Sequence, residues 1–370
     1  MVDGRYGFNG NVKISSRFLL FSRMNWNENE MKTDIINSGI LKDTFIKDRF
    51  GRTFNYLRIA VNEYCNLRCI YCMPEEGVPF QEKDRLLGKN EICKIIKIMS
   101  GLGVSKIRFT GGEPLLRKDL SDLIKYTYQQ TNISSIHLTT NGVLLSKYIN
   151  QLVKAGLDGI NISLDTLDKE KFKKITRREE LEKVLEGLDL AISSRIKSIK
   201  VNIVAMRDFN DNEIIDFVEL TRYNDITVRF IELMPFDSHQ IWKTGKFYKA
   251  DQIVHDLKSH YNTLKPVTGS STEYYVYKIK EYMGRVAVIP SYSRSLCSAC
   301  NRIRITADGN LLNCLYSQSE TNIRDAMRNG MKDRGIEKLI VGAMQEKLKD
   351  GWVAQNQGND LRASMTQIGG

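Results

Sequence analysis

The sequence lacks several features that would indicate common functional classes. No apolar run approaches the roughly 20 residues that a transmembrane helix needs. The phosphate-loop pattern G-x-x-x-x-G-K-[ST] does not occur, so a bound nucleotide triphosphate would need cationic side chains from elsewhere. The seven cysteines are an odd number, and the chain has no clear secretory signal. A disulfide framework is therefore not expected, and the sequence predicts a cytoplasmic protein.

The composition suits a globular protein with an anionic partner. The 370 residues can form one large domain with an extension, or two domains. The formal net charge of +11 leaves nucleic acid, anionic lipid and a nucleotide triphosphate open as partners. Residues 1–48 resemble an extension, in which residues 15–23 are basic and lack acids. An import peptide therefore remains open, and with it an organelle matrix as the location.

Three cysteines lie close together after a strand-like run at residues 56–61. Cys65, Cys69 and Cys72 are spaced C-x3-C-x2-C. A cubane iron–sulfur cluster has four irons and is normally held by four thiolates, so three thiolates leave one iron without a protein ligand. The alternatives are a zinc site that lacks its fourth ligand and buried cysteines without a ligand role. Because zinc sites more often show two C-x2-C pairs or added histidines, the pattern favours a cluster.

A second cysteine triplet lies near the C-terminus. Cys297, Cys300 and Cys314 form C-x2-C-x13-C, and no histidine follows Cys297 that could complete a zinc site. A second cluster with one open iron is therefore favoured over zinc. Between these cysteines, Arg302 and Arg304 alternate with isoleucine, which predicts a strand with both guanidinium groups on one face. Such a pair lies on a solvated face or binds phosphate.

Between these triplets, strand-like and helical patterns alternate. This alternation predicts a parallel sheet with crossover helices. Six candidate strands are Thr53–Val61, Lys106–Thr110, Ile136–Thr140, Gly159–Leu164, Ile199–Val204 and Thr227–Leu233. Candidate helices lie near residues 90–100, 119–130, 146–155, 179–193 and 211–222. Six units are too few for a complete eight-stranded barrel, which leaves an open doubly wound sheet or a partial barrel.

The distinctive short motifs follow the predicted strands directly. Gly111-Gly112-Glu113, Thr139-Thr140-Asn141, Ser163-Leu164-Asp165 and Glu232-Leu233-Met234 all lie at strand ends. Parallel α/β folds place their active sites at the carboxyl ends of the strands. Their joint position predicts one site at this edge of the sheet.

The cysteine motifs resemble those of a known enzyme family. Residues 64–74, with Tyr71 directly before Cys72, resemble the signature of radical S-adenosylmethionine (SAM) enzymes. Together with residues 297–304 and the terminal Ile368-Gly369-Gly370, they resemble the GTP 3′,8-cyclases of molybdenum cofactor biosynthesis. The likeness runs from about Phe50 to the C-terminus. It implies a partial (β/α)6 TIM-type barrel over residues 49–265, and a C-terminal domain over residues 266–370 that carries a second cluster and the Gly-Gly tail.

The resemblance also implies two [4Fe-4S] clusters and a role for each matching residue. The first cluster would be held by Cys65, Cys69 and Cys72, and the second by Cys297, Cys300 and Cys314. SAM would contact Tyr71, Gly112, Ser163 and Met234. GTP would contact Arg58, Arg108, Thr139, Lys200, Arg302 and Arg304. Catalysis would involve Arg302, Arg304, Gly369 and Gly370.

The activity implied by the resemblance is that of a radical SAM lyase. It converts GTP to (8S)-3′,8-cyclo-7,8-dihydroguanosine 5′-triphosphate, with hydrogen abstraction from the ribose 3′ carbon and attack on C8 of guanine. The implied partners are GTP, SAM, an electron donor and a downstream cyclic pyranopterin monophosphate synthase, without membrane or nucleic acid, and a homodimer is left open. Two other interpretations stay open: a radical SAM peptide-modifying enzyme with an auxiliary cluster, and a basic zinc-containing RNA-binding module.

Overall fold

The computed structural model describes residues 45–234, 245–269, 275–293, 297–317, 319–356 and 364–369. From Phe45 onward the described residues belong to one compact unit. None of the helices in these ranges is both long and apolar enough to span a membrane.

The described ranges contain short strands and helices in alternation. The strands are β1 (Ile46–Lys47), β2 (Thr53–Phe54), β3 (Tyr56–Ala60), β4 (Lys106–Thr110), β5 (Ser135–Thr140), β6 (Gly159–Ser163), β7 (Ser198–Ala205), β8 (Ile226–Glu232), β9 (Lys265–Pro266), β10 (Tyr275–Lys278), β11 (Arg285–Ile289), β12 (Arg302–Ile305), β13 (Asn310–Leu312) and β14 (Thr321–Asn322). The helices are α1 (Lys89–Gly101), α2 (Leu120–Gln130), α3 (Leu145–Ala155), α4 (Lys169–Thr176), α5 (Leu181–Ile192), α6 (Ile214–Glu219), α7 (Ala250–His260), α8 (Ile323–Arg328), α9 (Asp333–Gln345) and α10 (Gly351–Gln355).

Twelve of the strands form one sheet in the order β14-β13-β12-β3-β4-β5-β6-β7-β8-β11-β10-β9. The eight strands from β12 to β11 in this order are parallel, and the strands outside them are antiparallel. Residues of β12, β3, β8 and β11 all line a single cavity, so the sheet curls into a partial barrel. Strands β1 and β2 pair separately as a small antiparallel hairpin.

The central strands and helices form where the sequence pattern predicts them. Strands β3 to β6 and β8 are buried on both faces over most of their length, as expected of a parallel sheet covered by crossover helices, whereas β7 alternates between partly buried and buried residues. Helix α1 buries Ile92, Ile95, Ile96 and Met99, whose spacing of three and four residues puts them on one face. The prediction of six strand–helix units in a partial barrel is confirmed.

Within residues 53–233, which the predicted strands and helices span, two local details differ from the predicted elements. The first strand is divided at Asn55, whose carbonyl accepts hydrogen bonds from the backbone N–H groups of Ser105 and Lys106. Helix α4 was not predicted, because its sequence is mostly lysine and glutamate and it buries only three residues. Asp168 begins this helix by accepting a hydrogen bond from the backbone N–H of Lys171 at 2.8 Å.

The C-terminal residues extend the barrel on both sides. Strand β11 pairs in parallel with β8, whereas β12 pairs in parallel with β3 at the opposite side. This arrangement brings residues of the second cysteine segment next to the first strand of the barrel. The predicted extension also contributes to the fold, since Ile46–Lys47 pairs with Thr53–Phe54.

Candidate active site

A cavity of about 340 Å³ lies at the carboxyl ends of the parallel strands. All six cysteines of the two triplets line it: Cys65, Cys69, Cys72, Cys297, Cys300 and Cys314. It is also lined by the predicted SAM and GTP contacts Arg58, Tyr71, Gly112, Thr139, Ser163, Met234, Arg302 and Arg304. The fold therefore brings together residues as far apart in the sequence as Arg52 and Thr366 around one space.

The first cysteine triplet lies in a short, partly buried loop after β3. All three thiols are free of disulfides, and burial raises the pKa of each, that of Cys72 to about 12. A thiolate there needs a compensating positive charge, which bound iron supplies. The side-chain amide of Asn141 also donates a hydrogen bond to the sulfur of Cys65 at 3.8 Å. The donor set and the burial therefore fit an iron–sulfur group.

The cysteines of the described residues do not form a site for one metal ion. In these ranges no three His, Cys, Asp or Glu side chains are grouped so that they could hold a single ion. A zinc site needs its ligands around one centre. A cubane instead binds its thiolates through different irons.

The Gly111-Gly112 segment packs directly against the backbone that leads into the first triplet. A Cβ atom on Gly112 would lie 2.3 Å from the carbonyl oxygen of Tyr64, which no side chain tolerates. The adjacent Glu113 is fully buried and accepts hydrogen bonds from the Thr140 hydroxyl at 2.7 Å and the Asn141 N–H at 2.7 Å. Burial raises the pKa of Glu113 to about 7. Glu113 therefore ties the ends of β4 and β5 together beside the cysteine loop.

Tyr71 is held by a carboxylate from another strand end. Its hydroxyl donates to Asp165 Oδ2 at 2.6 Å, and Asp165 Oδ1 accepts from the backbone N–H of Val204 at 2.8 Å. Burial raises the pKa of Asp165 to about 6. The sequence placed Asp165 at a strand end but gave it no role. The position of Asp165 at the carboxyl end of a predicted strand is the signal that could have identified it as a site residue.

The second triplet lies in an electropositive part of the cavity. Burial disfavours the thiolate of Cys300. The positive charges of Arg302 and Lys347 outweigh this effect of burial and lower the pKa of the thiol to about 6. Lys347 is buried, and its ammonium group donates to the carbonyl oxygen of Asn313. Sequence reasoning missed Lys347, because no motif connects it with the cysteines.

Three arginines converge on the cavity from two adjacent strands. The parallel register of β12 and β3 places Arg304 opposite Arg58, and Arg302 lies two residues before Arg304 on the same face. Arg304 is only 5% exposed, and its buried Nη1 has no hydrogen-bond partner among the described residues. Burial, together with the charges of Arg58 and Arg302, lowers the pKa of Arg304 well below its usual value. Like charges held this close favour an anionic ligand.

Two predicted GTP contacts are not among the residues that line the cavity. Arg108 is buried, donating to the Tyr56 hydroxyl at 2.5 Å and to the Thr139 hydroxyl at 3.2 Å. It therefore supports Thr139, which does line the cavity. Lys200 lies on β7 with a partly exposed side chain, paired in register with Asn161 of β6.

Two asparagines that the sequence analysis did not select also line the cavity. Asn161 and Asn202 occupy neighbouring strands β6 and β7, and the buried Oδ1 atom of each has no hydrogen-bond partner in the described part of the chain. Buried polar atoms in proteins are usually hydrogen-bonded. These two amides are therefore available to a polar ligand.

The C-terminal tail reaches the first cysteine loop. The Ser364 hydroxyl donates to the carbonyl oxygen of Cys72 at 2.9 Å, and Met365 and Thr366 line the cavity. Gly369 is buried with φ +79°, and a Cβ atom there would lie 3.0 Å from Ala60 Cβ. Gly370 lies outside the described residues. The tail thus packs at the site where the sequence predicts a role for it.

Comparison with known proteins matches the chain to two families in tandem. Residues 59–221 match the Radical SAM superfamily, and residues 226–351 match Molybdenum Cofactor Synthesis C. The structure is also similar to the crystal structure of Streptococcus suis SuiB bound to precursor peptide SuiA. The TM-score is 0.55 with 15% identity over 93% of this chain and 79% of that one, so this likeness concerns the fold alone.

Sequence relatives extend over nearly the whole chain. The GTP 3′,8-cyclase of Chlorobaculum tepidum is 44% identical over 335 residues, which cover 90% of this chain and 100% of that protein. Molybdenum cofactor biosynthesis protein 1 of Dictyostelium discoideum is 44% identical over 310 residues, 83% of this chain but 49% of that protein, so the chain spans about half its length. Radical SAM membership implies a [4Fe-4S] cluster and SAM as cofactors. The chain belongs to the GTP 3′,8-cyclase family of radical SAM enzymes.

Proposed function

We propose that this chain converts GTP to (8S)-3′,8-cyclo-7,8-dihydroguanosine 5′-triphosphate, the first step of molybdenum cofactor biosynthesis. The observation that carries the proposal is a single cavity lined by both cysteine triplets and by Arg58, Arg302 and Arg304. One wall of this cavity suits SAM chemistry, and the other suits an anionic nucleotide.

At the first wall, Cys65, Cys69 and Cys72 would hold a [4Fe-4S] cluster. With one electron from an external donor, the bound group would supply cleavage of SAM to methionine and a 5′-deoxyadenosyl radical. Tyr71, Gly112, Ser163 and Met234 bind SAM. The Asp165 carboxylate orients Tyr71, while Gly112 allows the backbone to approach closely because it carries no side chain.

At the other wall, Arg58, Arg302 and Arg304 bind GTP. Its triphosphate brings about four negative charges, and the absence of a phosphate loop leaves side chains to balance them. The unpartnered Nη1 of Arg304 supports this role, since a buried cationic donor is stabilised by a bound anion. Arg108, Thr139 and Lys200 remain predicted contacts, with Arg108 supporting Thr139.

We further propose that Cys297, Cys300 and Cys314 hold a second [4Fe-4S] cluster. Three thiolates would leave one iron free to bind the nucleotide directly. The positive charges of Arg302 and Lys347 stabilise the Cys300 thiolate, as a cluster ligand requires. The tail contributes Met365 and Thr366 to the cavity beside the first cysteine loop.

The test is anaerobic reconstitution of the wild-type protein and of C300S, with C93S as a matched control. Cys93 lies on α1 and is not among the cavity residues. We expect about eight irons per chain in the wild type and C93S, and about four in C300S. With GTP, SAM and reductant, the wild type and C93S should form the cyclised nucleotide, and C300S should not. Protein that carries zinc alone, or leaves GTP unchanged with SAM and reductant present, would refute the proposal.

A further inference from the structure

The hairpin formed by β1 and β2 carries a buried ion pair that the proposed function does not use. Arg52 Nε lies 2.6 Å from Asp48 Oδ2, and the two side chains are 8% and 0% exposed. Asp48 Oδ1 also accepts hydrogen bonds from the backbone N–H groups of Phe50 at 2.9 Å and Arg52 at 3.0 Å. The carboxylate therefore fixes the turn and, with it, the direction of the guanidinium group.

The rest of this guanidinium joins two distant segments of the chain. Arg52 Nη1 donates to the carbonyl oxygens of Cys297 at 3.0 Å and Lys349 at 2.8 Å. Its Nη2 donates to the carbonyl oxygen of Leu348 at 2.7 Å. One side chain thus connects the first cysteine of the second triplet with the turn that follows α9.

That turn also contributes groups to the cavity that holds the second triplet. Lys347 and Gly351 line the same cavity as Cys297 and Cys300. If residues 347–351 moved away from Cys297, the wall around the second triplet would open.

We propose that the Asp48–Arg52 pair is a positioning element for the second iron–sulfur cluster. It holds Cys297 at a fixed distance from the turn at residues 347–351. This inference rests on the second cluster of the proposed function and assigns the β1–β2 hairpin to its binding site. Lysine cannot replace Arg52, because an ammonium is a compact charge that does not span a carboxylate and three carbonyls at once.

The experiment compares R52Q, R52K and D48N with R49Q after anaerobic reconstitution of the full chain. Arg49 is exposed, and its guanidinium lies over the Phe50 ring, so R49Q changes the same hairpin without touching the ion pair. The readouts are iron per chain, the electron paramagnetic resonance spectrum of the reduced protein, and SAM cleavage without GTP.

We expect R49Q to retain about eight irons and R52Q about four, with only the second cluster's signal lost. R52K and D48N should retain fewer irons than R49Q. SAM cleavage without GTP should stay within twofold of wild type in R52Q, which shows that the barrel is folded and the first cluster is intact.

Two outcomes would overturn the role of Arg52 and leave the proposed function standing. One is R52Q with about eight irons and an unchanged spectrum. The other is equal loss of both clusters, which would make the ion pair a general stabiliser. Wild-type protein with only about four irons would overturn the second cluster itself, and the inference with it.

Discussion

Replacing Arg304 with methionine should weaken GTP binding without damaging the iron sites. Arg304 lies on β12 opposite Arg58 of β3 and is 5% exposed. Its Nη1 is buried without a partner in the described residues, so the group is ready to donate to a bound anion. Methionine fills a similar volume but removes the charge and the donors.

The expected loss follows from the value of a charged hydrogen bond. Such a bond contributes about 1.5–3 kcal/mol. Because 1.4 kcal/mol is a factor of ten in affinity, R304M should bind GTP about tenfold to a hundredfold more weakly. The stability of the ligand-free protein, in contrast, should not be reduced by the substitution. Removing a buried cation beside Arg58 and Arg302 relieves repulsion, so the midpoint of unfolding should stay level or rise.

The assay combines anaerobic calorimetry with GTP, turnover with SAM and reductant, and SAM cleavage without GTP. R285M is the matched control, since Arg285 begins β11 in the same sheet and is exposed. R285M should match wild type in all three measurements. R304M should lose GTP affinity and turnover while keeping its iron content and its uncoupled SAM cleavage.

GTP affinity within twofold of wild type in R304M would remove Arg304 from the binding site. An equal loss of GTP affinity in R285M would indicate a general effect of net charge. A fall in the midpoint of unfolding of ligand-free R304M would contradict the repulsion argument.

Three further predictions concern other parts of the site. G112A should abolish SAM cleavage, because its Cβ would meet the Tyr64 carbonyl oxygen at 2.3 Å; cleavage at the wild-type rate would contradict this. Deleting Gly369-Gly370 should abolish GTP turnover while both clusters are retained, and full activity would refute the role of the tail. Burial and neighbouring cations lower the pKa of His137 to about 2, whereas histidine in an unfolded chain titrates near 6.5. His137 should therefore contribute a loss of stability of about 1.4 kcal/mol between pH 7.5 and 5.5, while Glu113 and Asp165, whose pKa values are raised, contribute changes of the opposite sign. Because those groups are the same in both proteins, the stability of the wild type relative to H137N should fall by this amount in urea unfolding over that pH range.

The sequence by itself determined the strand–helix alternation and the two cysteine triplets. Both are local patterns: apolar periodicity encodes each strand and helix, and cysteine spacing encodes a ligand set within a single loop. Helix α4 escaped prediction because its apolar pattern is weak. Glycine at position 112 could likewise be recognised beside the first triplet as a site of close backbone approach.

Only the tertiary structure decided which distant segments meet. Strand β12 pairs with β3, which places Arg304 opposite Arg58, and Arg52 bonds to the carbonyl of Cys297. The structure also showed that Arg108 is not among the described residues that line the cavity, although it donates to Thr139, which does line it. Pairing between strands far apart in the chain is set by sheet register and core packing. No short window of the sequence contains that information.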